Sequence, residues 1–186
     1  RGRLNVMLNI LGMRFDEICD IYTGKREDVA TSSDVTYHMG YSSDRTFGDQ
    51  AAHLSLAYNP SHLEFIAPVV MGSVKSRQQK YFTDRPQAVL PIILHGDSAV
   101  CGQGVVAEWF NMMHAPAHQI HGGIHVVVNN QIGFTTYREA SRSGVYCTDA
   151  HRYADVPILH VNGNDIDAVL FCAEMAAAYR ARFKRS

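Results

Sequence analysis

The first third of the chain changes from helical periodicity to polar and then alternating patterns. Apolar residues recur three or four positions apart over residues 4–11 and again over residues 15–22, which predicts two short helices. Residues 25–49 are polar and rich in Ser, Asp and Gly, so we expect a loop with brief strands. Residues 53–58 alternate apolar with polar side chains, as a half-buried strand does.

The remainder of the chain predicts strands separated by helices. A turn at Asn59-Pro60-Ser61 precedes a helix that runs towards Tyr81. Short apolar runs predict three strands, at residues 92–95, 125–128 and 157–161. We expect one helix over residues 102–114 and a long one over residues 165–184, capped by Asn164 or Asp165. Strands joined by helical crossovers form a parallel sheet with helices on both faces, so the predicted fold is α/β, in a single domain of residues 1–186.

Composition and charge narrow the possible functions. The chain has 186 residues, 46% hydrophobic and 19% charged, which is ordinary for a folded domain and long enough to bury roughly 70% of its unfolded surface without a metal or disulfide staple. A formal net charge of −1 provides no basic field, which argues against nucleic-acid binding and against a polybasic membrane patch. No apolar run approaches the roughly 18 residues of a spanning helix, so we expect no membrane insertion.

The cysteines and the first residue bear on the compartment and on the extent of the chain. Its four cysteines are widely separated and form no C-x-x-C pair, unlike a zinc ribbon or a secreted disulfide framework, so a reducing compartment fits best. The chain begins with Arg1 and has no charged-then-apolar leader. We therefore expect it to be part of a longer chain.

Unusual polar residues follow two of the predicted strands. Asp97 comes directly after the first of them, and Asn130 comes 33 positions later, after the second. Neighbouring ends of parallel strands would bring these side chains together, and carboxylate and amide oxygens suit Mg²⁺ shared with a phosphate. Gly102-Gln103-Gly104 would open the intervening helix and let backbone amides approach an anion. The alternative is that Asp97 is a cap or turn residue and the Asn pair an ordinary turn.

Several ordered blocks carry a family resemblance. Gly96-Asp97-Ser98 followed by Asn129-Asn130 resembles the thiamine diphosphate motif, except that Ser98 replaces its second glycine. Further blocks match one branch of the thiamine enzymes: Arg1-Gly2-Arg3-Leu4-Asn5, Tyr37-His38-Met39-Gly40, Asn59-Pro60-Ser61-His62-Leu63-Glu64, His95-Gly96-Asp97-Ser98-Ala99, Gly102-Gln103-Gly104 and Asn129-Asn130-Gln131-Ile132-Gly133-Phe134-Thr135-Thr136. Over its whole length the chain resembles the decarboxylating first components of 2-oxoglutarate dehydrogenase complexes.

The resemblance implies a diphosphate-binding domain and assigns roles to particular residues. The implied magnesium ligands are Asp97, Asn130 and the backbone carbonyl of Ile132. The residues implied to contact thiamine diphosphate are Arg1, Ser61, Leu63, Asp97, Ser98, Ala99, Asn130 and Ile132. His38 matches a histidine near the substrate carboxylate, where a group that titrates near neutral pH suits a dianionic substrate. His62 and His53 are weaker candidates for this catalytic role.

The resemblance also implies an activity and its partners. The family decarboxylates 2-oxoglutarate with thiamine diphosphate and Mg²⁺ and passes the succinyl group to a lipoyl group of a partner succinyltransferase, as a homodimer in bacterial cytoplasm or the mitochondrial matrix. Nothing here resembles the separate domain that grips the aminopyrimidine, so we expect this chain alone to be inactive. A 2-oxoadipate dehydrogenase or a non-oxidative 2-oxoglutarate decarboxylase would share these residues. The alternatives from other classes are a non-catalytic phosphate-binding α/β module and an interaction domain with a vestigial motif.

Two groups of residues stay outside this assignment. Four histidines lie four, three and four residues apart: His114, His118, His121 and His125. Pro116 and Gly122-Gly123 interrupt any helix that would align them as metal ligands, so we expect a surface loop leading into the second strand. The long segment 131–155 carries Arg138, Arg142 and Arg152, which could contact substrate, a partner subunit or solvent; the sequence does not rank them.

Overall fold

The computed structural model describes residues 2–23 and 38–186 and divides the chain into two compact units, Arg1–His62 and Leu63–Ser186. Arg1 and Tyr37, two residues of the resemblance blocks, lie outside the described part. The single domain over residues 1–186 stays a prediction.

The first unit begins with the two predicted helices. α1 (Gly2–Asn5) continues into one π-helical stretch (Val6–Ile10), and α2 spans Phe15–Thr23. Their apolar faces form a buried cluster, which consists of Met7, Leu11, Met13 and Ile18. Gly12 joins the two segments at φ 75°, a left-handed conformation that glycine adopts without strain. The helical spacing of apolar residues therefore predicted both helices correctly.

A β-hairpin completes the first unit and extends the sequence prediction. β1 (Tyr41–Phe47) and β2 (Gln50–Leu56) pair antiparallel, with Tyr41 opposite Leu56 and Phe47 opposite Gln50. The sequence predicted a strand only from residue 53 and brief strands before it. The bounds of β1 could not be predicted, because most of its side chains are exposed and polar and form no alternating apolar face.

The second unit holds a pair of parallel strands. α3 (Ile66–Tyr81) includes Pro68 in its first turn, where a missing N–H costs nothing. β3 (Ile92–Gly96) and β4 (Ile124–Val128) are parallel neighbours, with Gly96 opposite Val128. The predicted α/β class, with its parallel pairing, is confirmed at this level.

The connection between β3 and β4 differs from the prediction. Instead of one helix over residues 102–114, α4 (Asp97–Gly102) begins directly at the end of β3 and α5 (Gly104–Met112) follows it. Gln103 breaks the helix with extended backbone angles of φ −97° and ψ 125°. The Gly102-Gln103-Gly104 stretch is therefore one short helix away from the strand end, and Asp97 itself is the first helical residue.

The rest of the second unit is helical or irregular. α6 (Arg138–Ser141), a 3₁₀ turn (Asp149–Ala154) and α7 (Ile166–Phe183) follow β4. Of the two caps that the sequence predicted for α7, Asn164 or Asp165, the second is confirmed, since the Asp165 side chain accepts a hydrogen bond from the Ala168 amide at 3.0 Å. The predicted strand at residues 157–161 is wrong: this segment has no regular structure and lines a cavity of about 340 Å³ beside β4.

The two faces of the small sheet are very different. Ile93 and His95 point into a core that contains Val100, Val106 and Trp109. On the opposite face, four apolar side chains are about half exposed: Ile92 at 53%, Leu94 at 60%, Val126 at 42% and Val128 at 52%. The part of the chain that the structure describes thus buries one face of the sheet, and helices on both faces are not shown.

The last helix is fastened to the beginnings of the strands by one arginine. Arg180 of α7 is buried and donates hydrogen bonds to the carbonyl oxygens of Gln87, Val89 and Gly122, at 2.8 to 3.1 Å. Its burial lowers the pKa of the guanidinium. Of the described helices, none is both long and apolar enough to cross a bilayer.

Candidate functional site

The first unit holds three predicted site residues that the structure describes, His38, Ser61 and His62. His38 is half-buried, and its Nδ1 makes a short contact with the carbonyl oxygen of Asn59, whose amide in turn donates to the His38 carbonyl at 3.1 Å. Ser61 and His62 are exposed, and the Ser61 hydroxyl lies 3.3 Å from His62 Nδ1. His53, a weaker candidate, pairs with Asp44 at 2.8 Å across the hairpin. This unit therefore presents His62 to solvent and holds His38 against the turn at Asn59.

Asp97 is the most deeply buried of the predicted ligands. Its side chain is 2% exposed, and Oδ2 accepts a hydrogen bond from Arg142 Nη1 at 3.0 Å. Its other oxygen, Oδ1, is also buried and has no hydrogen-bond partner among the described residues. A buried carboxylate oxygen without a partner is costly, because nothing replaces the water it has lost. This atom is therefore an acceptor that a bound cation or hydrogen-bond donor would satisfy.

The turn after β4 is shaped by local hydrogen bonds and unusual backbone angles. The Asn130 side-chain oxygen accepts the Ile132 amide at 3.0 Å, as in an Asx turn. Gln131 and Phe134 have φ of 61° and 52°, in the left-handed region that costs non-glycine residues energy. Strain of this kind persists where surrounding contacts enforce it, and it often marks a functional segment.

Ser98 connects the two strand ends. Its hydroxyl donates to the carbonyl oxygen of Ile132 at 3.2 Å, which joins the start of α4 to the turn after β4. A Cβ at Gly133 would lie 2.7 Å from this hydroxyl oxygen, so only glycine fits there without a shift. The residue that departs from the thiamine diphosphate motif therefore has a structural task in this chain. Ala99 follows Ser98 in α4, and Leu63 is 47% exposed at the start of the second unit.

The residues at the strand ends fit a hard divalent cation. Asp97, Asn130 and the Ile132 carbonyl offer a carboxylate, an amide and a backbone oxygen, the ligand types that Mg²⁺ prefers. The unpartnered, buried Oδ1 of Asp97 is the observation that supports this fit. Within the described residues, no three His, Cys, Asp or Glu side chains gather as a metal cluster, and the four histidines at 114–125 form none.

A buried chain of polar side chains lies behind the site, and the sequence did not predict it. His95 Nδ1 contacts Glu64 Oε2 at 2.6 Å, and His95 Nε2 contacts His125 Nδ1 at 3.0 Å. The Glu64 and His95 side chains are 4% and 1% exposed. Both sit close in sequence to predicted site residues, Glu64 after Leu63 and His95 two residues before Asp97. Both residues lie inside blocks that match the family, which was a signal that they matter. Their pairing joins positions 31 residues apart, so no local pattern in the sequence reveals it.

His125 lies in β4, as the predicted strand 125–128 has it, and is the one member of the four-histidine group inside that strand. Its ring lies 5.0 Å from the Trp109 ring, centroid to centroid. Burial, and to a smaller degree the charges of His95 and His151, lowers the pKa of His125 to about 3. His125 is thus a neutral hydrogen-bonding partner of His95 at physiological pH.

This lowered pKa predicts a loss of stability in acid. Unfolded His125 takes up a proton below about pH 6.5, whereas the folded form stays neutral until about pH 3, so unfolding is favoured increasingly as pH falls through this window. Between pH 7 and 5.5, we expect the unfolding free energy of the 186-residue chain to fall by about 1 kcal/mol more than that of His125→Phe. Urea unfolding at the two pH values checks this; equal losses in both proteins would contradict it.

The structure also ranks the three arginines that the sequence left open. Arg142 is the ion-pair partner of Asp97 and is 11% exposed. Arg152 lies 3.6 Å from Asp149 with its side chain largely exposed, and Arg138 is exposed on α6. Of these three, Arg142 alone touches a predicted ligand.

Comparisons with known proteins show the family of the chain. The family model described as dehydrogenase E1 component matches residues 1–186. Proteins named 2-oxoglutarate dehydrogenase E1 component are similar over the whole chain: that of Haemophilus influenzae is 50% identical, that of Azotobacter vinelandii 47% and that of Coxiella burnetii 43%. The chain spans about one fifth, 20%, of the length of each of these relatives. On this match the chain belongs to the dehydrogenase E1 component family.

Proposed function

We propose that this chain forms the part of a 2-oxoglutarate dehydrogenase first component that holds Mg²⁺ and the diphosphate of thiamine diphosphate. The observation that carries the proposal is the buried Oδ1 of Asp97, which lacks a partner among the described residues and stands at the end of β3. β4 ends beside it, and the Asn130–Ile132 turn follows. Family membership and the names of the relatives support the same assignment.

Each site residue has a proposed task. Asp97, Asn130 and the Ile132 carbonyl hold the cation, and Ser98 and Ala99 lie along the diphosphate. Arg1, Ser61 and Leu63 contact the cofactor, which, when bound, accepts the electron pair released as CO₂ leaves the 2-oxo acid. His38 and His62 bind the far carboxylate of 2-oxoglutarate by donating hydrogen bonds, the contact that a dianionic substrate needs.

The proposed partners and surroundings follow from the same assignment. A lipoyl-bearing succinyltransferase takes the succinyl group, the longer chain forms a homodimer, and the compartment is bacterial cytoplasm or the mitochondrial matrix. Because the chain spans 20% of its relatives, we propose that residues 1–186 are one diphosphate-binding domain of a longer chain. The aminopyrimidine-binding part then lies elsewhere, and the 186 residues alone are inactive.

The exposed face of the sheet supports a larger α/β architecture. Leu94 and Val128 stand on a face whose apolar side chains are uncovered in the described residues, and parallel sheets are normally covered on both faces. We propose that helices from the longer chain or its dimer partner complete the arrangement with helices on both faces.

A charged side chain placed on this face distinguishes an uncovered face from one that the rest of the full-length protein covers. We expect Leu94→Glu to change the unfolding free energy of the 186-residue chain by less than about 0.5 kcal/mol, because Leu94 is 60% exposed there. In the full-length protein the same change buries a charge and lowers Tm by several degrees. Thermal unfolding of both proteins measures this. An unchanged Tm in the full-length variant would show that the face stays uncovered.

Release of CO₂ tests the proposed activity. With thiamine diphosphate, Mg²⁺ and a ferricyanide acceptor, the full-length protein is expected to decarboxylate 2-oxoglutarate faster than 2-oxoadipate. A preference for 2-oxoadipate would assign the protein to the other acid. Cofactor binding without turnover of either acid would favour a non-catalytic phosphate-binding module, and the 186-residue chain is the matched control that should release no CO₂.

A further inference from the structure

We propose that Arg142 is a positioning residue that aims Asp97 at the cation and couples the following segment to cation binding. The inference rests on the proposed function, because it concerns the same carboxylate. Arg142 Nη1 donates to Oδ2 of Asp97 at 3.0 Å and leaves Oδ1 without a partner among the described residues. One oxygen is thus held by the protein and the other is offered to a ligand.

The geometry gives Arg142 control over the orientation of the carboxylate. The terminal torsion of an aspartate is broad and roughly two-fold, so by itself it fixes neither oxygen. A hydrogen bond from a guanidinium that is 11% exposed, to a carboxylate that is 2% exposed, removes this freedom in a poorly screened environment. Outer contacts of this kind hold metal ligands in place, and their loss typically weakens binding 10- to 100-fold.

Arg142 also ties a separate stretch of chain to Asp97. It directly follows α6 in an extended conformation and begins a loop that the Asp149 carboxylate closes by accepting the Tyr146 amide at 2.9 Å. Nine residues after Arg142, the His151 Nε2–H donates to the Val100 carbonyl of α4 at 2.8 Å. The stretch 142–151 is therefore fastened to α4 at both ends, and one of these attachments is the proposed cation ligand itself.

Linkage then makes the loop and the cation site depend on each other. A cation that binds the oriented carboxylate favours the state in which Arg142 is docked, and so favours the ordered loop. If Arg142 instead occupied the place of the cation, the two would compete, and removing the arginine side chain would tighten cation binding. The two relations predict opposite changes in affinity.

Mn²⁺ affinity in the full-length protein tests the proposal. Mn²⁺ accepts the same oxygen ligands as Mg²⁺, and its electron paramagnetic resonance signal reports binding independently of catalysis. We compare Arg142→Gln and Arg142→Lys with Arg138→Gln, an exposed arginine of the same segment, in the presence of thiamine diphosphate. We expect a 10- to 100-fold loss for the Gln variant, roughly a three- to tenfold loss for the Lys variant, and no change for Arg138→Gln.

An affinity within twofold of wild type, or tighter, in either folded Arg142 variant overturns the proposal; if Arg142→Gln does not fold, Arg142→Lys alone decides. Protection of the stretch 142–151 from proteolysis by Mn²⁺ and thiamine diphosphate should be present in the wild type and reduced in the Arg142 variants. A wild-type protein that binds no Mn²⁺ would overturn the proposed function itself, which keeps the two failures distinct.

Discussion

Asp97→Asn is expected to weaken Mg²⁺-dependent binding of thiamine diphosphate about 1,000-fold. The substitution keeps the size of the side chain and removes the charge, and a unit-charge attraction near 4 Å is worth about 4 kcal/mol at an effective dielectric of 20. Arg142 already pairs with Oδ2, and the buried Oδ1 has no partner among the described residues, so Oδ1 is the oxygen whose charge the cation would meet. Calorimetric titration of the full-length protein with thiamine diphosphate, with and without Mg²⁺, measures the effect.

Asp167→Asn is the matched control, since Asp167 is an exposed carboxylate in the first turn of α7. It should bind the cofactor like the wild type. A similar circular dichroism spectrum in both variants would show that the loss in Asp97→Asn is not a loss of folding. Unchanged Mg²⁺ dependence in Asp97→Asn would remove Asp97 from the cation site.

Glu64→Ala is expected to lower the unfolding free energy of the 186-residue chain by about 3–5 kcal/mol. Removing one member of a buried pair leaves the other without compensation, and Glu64 is the carboxylate 2.6 Å from His95 Nδ1. Glu64 also has φ 71°, a left-handed conformation that costs a non-glycine residue energy. Trp109, the single tryptophan, stacks 6.2 Å from the His95 ring, so its fluorescence during urea unfolding reports on this region.

Two comparisons sharpen this stability measurement. Glu108→Ala removes an exposed carboxylate from α5 and should change the unfolding free energy by less than about 0.5 kcal/mol. Glu64→Gln keeps an oxygen acceptor for His95 and should lie between Glu64→Ala and the wild type. A loss below about 1 kcal/mol in Glu64→Ala would show that the pair does not hold this part of the fold.

Local patterns predicted the elements whose partners are close in sequence. Residues 92–95 and 125–128 are apolar runs that end at turn residues, and both became strands in the predicted parallel arrangement. The cap at Asp165 depends on an amide three residues later, which the sequence displays directly. These features follow from side-chain periodicity and from chemistry within one helical turn.

The missed elements depend on contacts that no short segment contains. β1 is a strand because β2 folds back on it in register, although its side chains are mostly polar. Residues 157–161 have the composition of a strand but make none: they line the cavity beside β4 and pair with no strand in the described part of the chain. Strand formation requires a partner edge as well as propensity.

The candidate site, too, combines residues that local sequence indicates with residues that only distant contacts reveal. Asp97 and Asn130 were predicted as ligands from their positions after two strands, because parallel strand ends share one edge of a sheet, and their role stays a proposal. Arg142 and Glu64 were not identified, since they act through partners 45 and 31 residues away. Charge type alone did not distinguish Arg142 from Arg138 or Arg152. Burial separated them, and burial is a property of the folded chain.

Anomalous diffraction from Mn²⁺ would test the central claim most directly. Crystals of the full-length protein grown with Mn²⁺ and thiamine diphosphate should show one peak about 2.2 Å from Asp97 Oδ1, with Asn130 and the Ile132 carbonyl also in contact and Arg142 still bonded to Oδ2. A peak bound by other residues, with Asp97 Oδ1 uncoordinated while the cofactor is present, would contradict the assignment of this strand edge as the cation and diphosphate site.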